Sequence, residues 1–167
     1  TSLGRDRIAD LYGPGDVLGL ASLDGGHHAE TVVAVHESCL TPIDPQQAMN
    51  DRKLRDYVLQ SMARQLRRSR EMIDEAEMPV GARVTRAFLR LADQFGQPSD
   101  ESEGGVKLPL ALTHEDLADL TGSSRVTITR ILGELRSEGA LSGTRGVYVA
   151  DPEGLERATD HYVMQVL

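Results

Sequence analysis

Apolar residues recur at helical spacing in the second half of the chain, and residues 113–138 combine two such helices with a glycine between them. Thr113 predicts a helix N-cap, and Asp116 supplies the acidic half of a capping box. Gly122 suits the left-handed turn that ends a helix. The second helix carries one apolar stripe with spacings of three and four, formed by Ile128, Ile131, Leu132 and Leu135. The pattern predicts a helix-turn-helix.

The opposite face of the second predicted helix is suited to the major groove of DNA. At about 100° per residue, Val126, Arg130, Gly133 and Ser137 share this outward row. Base edges are usually reached from the start of such a helix, and either serine before Arg125 can cap it. The candidate DNA contacts are therefore Thr113, Ser123, Ser124, Arg125, Val126, Thr127, Thr129 and Arg130.

Residues 140–150 contain two short apolar runs around a Gly-Thr-Arg-Gly turn. This pattern predicts a β-hairpin, and residues 106–112 predict a further strand beside it. A hairpin after a helix-turn-helix indicates a winged helix-turn-helix, in which Arg145 at the tip of the wing is a candidate phosphate contact. The alternative is an ordinary helical hairpin whose arginines are merely solvated.

Short apolar runs broken by glycine turns occupy residues 3–43, and they predict the strands of a roll or barrel. A long helical pattern follows from near Pro45. Its apolar stripe packs either on the roll of its own chain or on the same helix of a second copy. We favour the dimer, because a helix-turn-helix commonly reads two half-sites through a two-fold axis. The candidate dimer interface is Leu54, Val58, Met62, Leu66 and Ile73.

A hinge is predicted at residues 78–81, because the residue before Pro79 is disfavoured in the helical region. The chain is therefore expected to have three parts. They are a partial β-roll at 1–45, a long dimerisation helix at 46–78 and a winged helix-turn-helix domain at 79–167, which closes with a helix from Pro152. The predicted fold class is α+β.

The 167 residues carry a formal net charge of −8 at pH 7, which argues against indiscriminate coating of nucleic acid. One cysteine, Cys39, excludes an internal disulfide and an all-cysteine metal site within one chain. The chain has no apolar run of about 18 residues, and we expect no signal peptide. We therefore expect a cytoplasmic protein with no membrane partner.

The order of these elements resembles the cyclic-AMP receptor protein and fumarate–nitrate reductase regulator superfamily of bacterial transcription factors. The segments that carry the resemblance are GPGDVLG at 13–19, AETVVA at 29–34 and GSSRVTITRIL at 122–132. The resemblance covers nearly the whole chain and enters the family's sensor roll partway through. It implies a cyclic-nucleotide-binding-like roll and a homodimer on a two-fold symmetric operator in double-stranded DNA. It also implies that Arg125 and Arg130 contact bases or phosphates.

The reading helix departs from the family pattern at Val126. In the family this position is commonly a glutamate that accepts a hydrogen bond from cytosine. Valine cannot accept a hydrogen bond, but it can contact the methyl group of thymine. We therefore expect a half-site that differs from the usual family sequence.

The sensor segment departs further. Members of the family that bind cyclic nucleotides have a glutamate just after the glycine that matches Gly19, and an arginine–serine pair that faces the cyclic phosphate. Without that carboxylate and guanidinium, usual binding of cyclic AMP is not expected, and no cofactor is assigned. Backbone amides of residues 23–26 and a protonated histidine leave an unusual mode open. The candidate effector site is Gly19, Leu20, His28 and Ala29.

Together these patterns predict a dimeric, sequence-specific transcriptional regulator that is not an enzyme and is controlled allosterically through the roll. Activation by contact with RNA polymerase and repression by occlusion are both open. One alternative is a protein-interaction module that uses the winged helix. Another is a metal-dependent roll enzyme with ligands such as Glu30, but His27 and His28 have poor spacing because neighbours on a strand face opposite sides.

Overall fold

The computed structural model describes residues 7–23, 25–27, 30–100, 104–143 and 147–166. Its chain divides into two compact units. One is Tyr12–Ile73, and the other joins Thr1–Leu11 to Asp74–Leu167. Each unit has its own hydrophobic core among the described residues, and the core of the second unit is much the larger. No helix in the described ranges is both long and apolar enough to cross a bilayer.

The unit Tyr12–Ile73 contains a 3₁₀ turn at Leu20–Ser22 and two helical segments, α1 (Pro45–Asn50) and most of α2 (Arg52–Glu75). The Asp44 carboxylate caps α1 by accepting from the backbone N–H of Gln46 at 2.7 Å. Asp51 interrupts the helix with an extended backbone and accepts from the N–H of Leu54 at 2.9 Å. The long helix predicted from near Pro45 is therefore present in two segments.

The described part of residues 7–45 contains no β-strand, which corrects the strands predicted for the roll. A strand requires a hydrogen-bonded neighbour, and no other described segment pairs with this one. Leu20 is buried, but several of the apolar positions that suggested strands are not covered. The exposed ones are Val32, Val33, Val35, Leu40 and Ile43.

The small core of this unit consists of Leu20, Ala48 and Val58, with Leu54 partly buried against it. Val58 is only 2% exposed within a single chain. This burial corrects the assignment of Val58 to the dimer interface and shows that part of the apolar stripe packs on its own chain. The predicted interface residues Met62, Leu66 and Ile73 are exposed, and so is Leu59, which lies outside the predicted interface.

The second unit packs helices against a small sheet. Its elements are α3 (Val80–Phe95), β1 (Gln97–Pro98), β2 (Val106–Leu108), α4 (His114–Thr121), α5 (Arg125–Ser137), β3 (Leu141–Ser142), β4 (Tyr148–Ala150) and α6 (Pro152–Met164). The sheet is antiparallel, in the order β1–β2–β4–β3. The predicted wing hairpin, the strand beside it and the closing helix are confirmed. Helices with a small sheet give the α+β class.

Helix α3 supplies one wall of the larger core. Phe88 is fully buried and meets the ring of Tyr148 edge-on, with ring centroids 5.1 Å apart. The hydroxyl groups of Thr85 and Thr159 lie 2.6 Å apart and join α3 to α6 inside the core. Each of these hydroxyls also lies within hydrogen-bonding distance of a backbone carbonyl of its own helix. Because a hydroxyl has one proton, one of the two donates to its carbonyl and the other donates across to its partner, so both buried oxygens are satisfied.

Candidate nucleic-acid interface

The turn between α4 and α5 is built by local capping. The Thr113 hydroxyl accepts from the backbone N–H of Asp116 at 3.1 Å, and the Asp116 carboxylate accepts from the N–H of Thr113 at 2.7 Å. Gly122, with a φ of 63°, ends α4 in the left-handed region. Ser124 caps α5 by accepting from the N–H of Thr127 at 3.1 Å. The predicted capping box and glycine turn are confirmed.

The apolar stripe of α5 fixes which face of the helix is exposed. Ala118 of α4 is buried, as the close approach of two helices requires. On the outward row Val126 is 81% exposed, and a Cβ added at Gly133 would meet no other atom within 4 Å. The outward face is therefore open to a large partner. The side chains that lock the inner face are all 0% exposed, namely Ile128, Ile131, Leu132 and Leu135.

Thr129 of α5 is hydrogen-bonded to His114, the first residue of α4. Its hydroxyl donates to the backbone carbonyl of Arg125 at 2.9 Å, so its oxygen accepts from Nδ1 of His114, also at 2.9 Å. The hydroxyls of Ser124 and Thr127 are likewise bonded to each other, at 2.8 Å. No local spacing connects His114 with Thr129, which is why the sequence did not indicate this pair.

Arg130 is held by a carboxylate one helical turn further on. Its guanidinium forms an ion pair with Oε1 of Glu134, and Oε2 of Glu134 accepts from the hydroxyl of Tyr162 on α6 at 2.7 Å. Burial, and then the hydrogen bond and charge of Glu134, raise the pKa of the Tyr162 hydroxyl above its ordinary value. The spacing of Arg130 and Glu134 was readable in the sequence, whereas the partner on α6 depends on tertiary packing.

Of the remaining site candidates, the structure describes Gly19 and Leu20. Arg145, His28 and Ala29 lie outside the described residues. Gly19 has a φ of 75°, in the left-handed region, and precedes the 3₁₀ turn. Leu20 is 8% exposed, and its side chain belongs to the small core with Ala48 and Val58. Among the described histidines, cysteine and acids, no three lie together as metal ligands.

A winged helix-turn-helix with arginines on the open face of its second helix defines a DNA-binding module. Residues 82–158 match the family described as the Crp-like helix-turn-helix domain. The transcriptional regulator LdrP of Thermus thermophilus is 34% identical over 148 residues, which cover 86% of this chain and 72% of LdrP. The CRP-like cAMP-activated global transcriptional regulator of Mycobacterium tuberculosis is 29% identical over 162 residues, which cover 92% and 70%.

A solved CRP-family transcriptional regulator, also from Thermus thermophilus, has a similar fold, with a TM-score of 0.57 and 28% sequence identity. The match covers 72% of this chain and 60% of that one, so the chain spans less than two thirds of the solved relative. The chain belongs to the CRP/FNR superfamily of DNA-binding transcriptional regulators.

Proposed function

We propose that this chain reads a two-fold symmetric operator in double-stranded DNA as a homodimer, with α5 in the major groove. The observation that carries the proposal is the open face of α5, where Arg125, Val126 and Arg130 project from a helix whose opposite face is fully buried. A rigid helix holds its side chains in the register that base recognition needs. The N-terminal ends of α4 and α5 approach phosphates, as does the wing. These phosphate contacts are Thr113, Ser123, Ser124 and Arg145.

The test of this proposal is DNA binding under controlled salt. A duplex selected from random DNA should bind tightly, and its affinity should fall steeply as salt rises, because phosphate contacts release counterions. Removing both arginines in Arg125→Ala/Arg130→Ala should abolish the preference for the selected duplex. A protein-interaction module would give no salt-dependent DNA binding, and that result would overturn the proposal.

Val126 is proposed to set the half-site through apolar contact with a thymine methyl group. Its side chain is 81% exposed, so packing inside the protein does not account for it. Selection with Val126→Glu should restore cytosine at the position that this residue faces, whereas Val126→Ala should relax the preference there without replacing it. Recovery of one and the same half-site by the native protein and Val126→Glu would contradict this assignment.

The exposed stripe of α2 is proposed to be the dimer interface. Leu59, Met62, Leu66 and Ile73 are separated by three, four and seven residues, which is the spacing of a coiled-coil seam. Leu59 replaces Leu54 and Val58, which pack within their own chain. Exposed apolar side chains at this spacing are typical of a surface that a second helix covers.

For the effector, we propose that cyclic AMP is not recognised in the mode that the family implies. The Mycobacterium tuberculosis relative is named as cAMP-activated, but Leu20 occupies the family's glutamate position and packs in the small core. A leucine offers no acceptor for a ribose hydroxyl. Transcription in vitro with RNA polymerase, with and without cyclic AMP, would show both the effector response and the sign of regulation.

A further inference from the structure

Glu134 and Tyr162, neither of which is a proposed DNA contact, hold Arg130 in place on α5. Glu134 uses one carboxylate oxygen for the guanidinium of Arg130 and the other for the hydroxyl of Tyr162. We refer to Glu134 and Tyr162 as the Tyr162–Glu134 clamp. Both of its side chains are half-buried, whereas Arg130 is largely exposed.

The ring of Tyr162 also packs against α3. It lies against Gly81 in the first turn of α3, where a Cβ on residue 81 would overlap the ring atoms. Gly81 is itself buried. The hydroxyl of Tyr162 therefore reaches Glu134 from a ring that packs against α3. A carboxylate with one anchored oxygen holds an arginine better than an isolated surface pair, in which both long side chains are mobile.

The clamp changes what Arg130 offers to DNA. A free arginine on the outward row attracts every phosphate, whatever the sequence, and this attraction dominates non-specific binding. A carboxylate beside the guanidinium offsets that attraction, and it also holds the planar donors in one orientation. An oriented arginine forms strong bonds only where an acceptor lies in the matching geometry.

We propose that the Tyr162–Glu134 clamp is a specificity device: it lowers the affinity of Arg130 for arbitrary phosphates and orients it toward one acceptor in the operator. Glu134 and Tyr162 are thus positioning residues that act through Arg130. The inference rests on the proposed function, namely that α5 reads DNA. It adds that the discrimination between operator and other DNA depends on two residues that need not touch the operator.

The main experiment compares Glu134→Gln with the matched control Glu138→Gln in the full chain. Both variants remove one negative charge from the same end of α5, and Glu138 is exposed and caps the helix at its C-terminus. Dissociation constants are measured for the selected operator and for a scrambled duplex across a salt series. Glu134→Gln should tighten binding to the scrambled duplex about fivefold and steepen its salt dependence by about one counterion. Its ratio of specific to non-specific affinity should fall, whereas in Glu138→Gln both affinities should shift equally.

Tyr162→Phe separates orientation from charge, because it removes only a hydroxyl. The ratio of specific to non-specific affinity should fall about twofold to threefold, with the salt dependence unchanged. In the protein without DNA, nitrogen-15 relaxation of the Arg130 Nε–H should show greater mobility in Glu134→Gln and Tyr162→Phe, but not in Glu138→Gln. Melting temperatures verify that each variant is folded.

Equal loss of discrimination in Glu134→Gln and Glu138→Gln would overturn the clamp, because general charge would then explain the effect. Equal mobility of Arg130 in the native protein and Tyr162→Phe would overturn it as well. Failure of the proposed function has a different signature. In that case the native protein would not distinguish the selected operator from the scrambled duplex, whatever the mobility of Arg130.

Discussion

Both compact units carry regularly spaced apolar side chains, but a single chain buries far more of them in one unit than in the other. In the winged helix-turn-helix unit, the apolar stripes of α3 and α5 are buried, and Phe88 and Leu132 are completely covered. In Tyr12–Ile73, only Leu20, Ala48 and Val58 are buried among the described apolar side chains, while Leu40 and others are exposed. The winged helix-turn-helix unit is closed on itself, whereas the exposed apolar surface of Tyr12–Ile73 is suited to a partner.

Hydrogen bonding explains part of this difference. A helix satisfies its own backbone groups within about four residues, so α4 and α5 form from their own caps and stripes. A strand satisfies its groups only against another strand. The wing has such partners, because β2 and β3 both pair with β4. The segment 30–43 pairs with no described strand and has an irregular backbone despite its valines.

The strongest test of this comparison replaces one leucine with alanine in each unit. Leu132→Ala should cost about 3–4 kcal/mol of unfolding free energy, because it leaves a cavity in a close-packed core. Leu40→Ala should cost less than about 0.5 kcal/mol, because that side chain is already exposed. Urea unfolding followed by circular dichroism measures both. Similar losses for the two variants would mean that Leu40 is covered in solution, and the contrast between the units would fail.

The second prediction concerns what covers the exposed seam of α2. Leu66→Lys places a charge in the seam and should weaken dimerisation about 30-fold to 100-fold, or about 2–3 kcal/mol. Gln60→Lys introduces the same residue at an exposed position next to the seam and should leave the dimer intact. Sedimentation equilibrium gives both dissociation constants. If the native protein is monomeric at all concentrations, or if Leu66→Lys does not weaken the dimer, then α2 is not the dimer interface.

How much the sequence predicted also differs between the units. The caps, the glycine turn and the buried stripe of α5 depend on residues no more than about seven positions apart, so periodicity was sufficient. The contacts of Glu134 with α6 and of Thr129 with α4 depend on how helices cross, and no local spacing contains that information. For α2, periodicity identified an apolar stripe but not its division between Val58, packed inside the chain, and Leu66. That division depends on which side of the helix meets Leu20.

The smallest expected effect tests whether local capping is equally effective in the two units. Thr113 caps α4 and Asp44 caps α1, and each side chain accepts hydrogen bonds from the backbone N–H groups of the first helical turn. Thr113→Ala should cost about 1 kcal/mol, because one orphan N–H loses its partner. Asp44→Ala should cost a similar amount if α1 is as firmly held. Urea unfolding of the two variants, with Thr113→Ser and Asp44→Asn as controls that retain an acceptor, measures both costs. A loss near zero for Asp44→Ala, beside a full loss for Thr113→Ala, would show that α1 frays. The unit Tyr12–Ile73 would then be weaker in local structure as well as in its core, and the contrast between the units could no longer be attributed to missing partners alone.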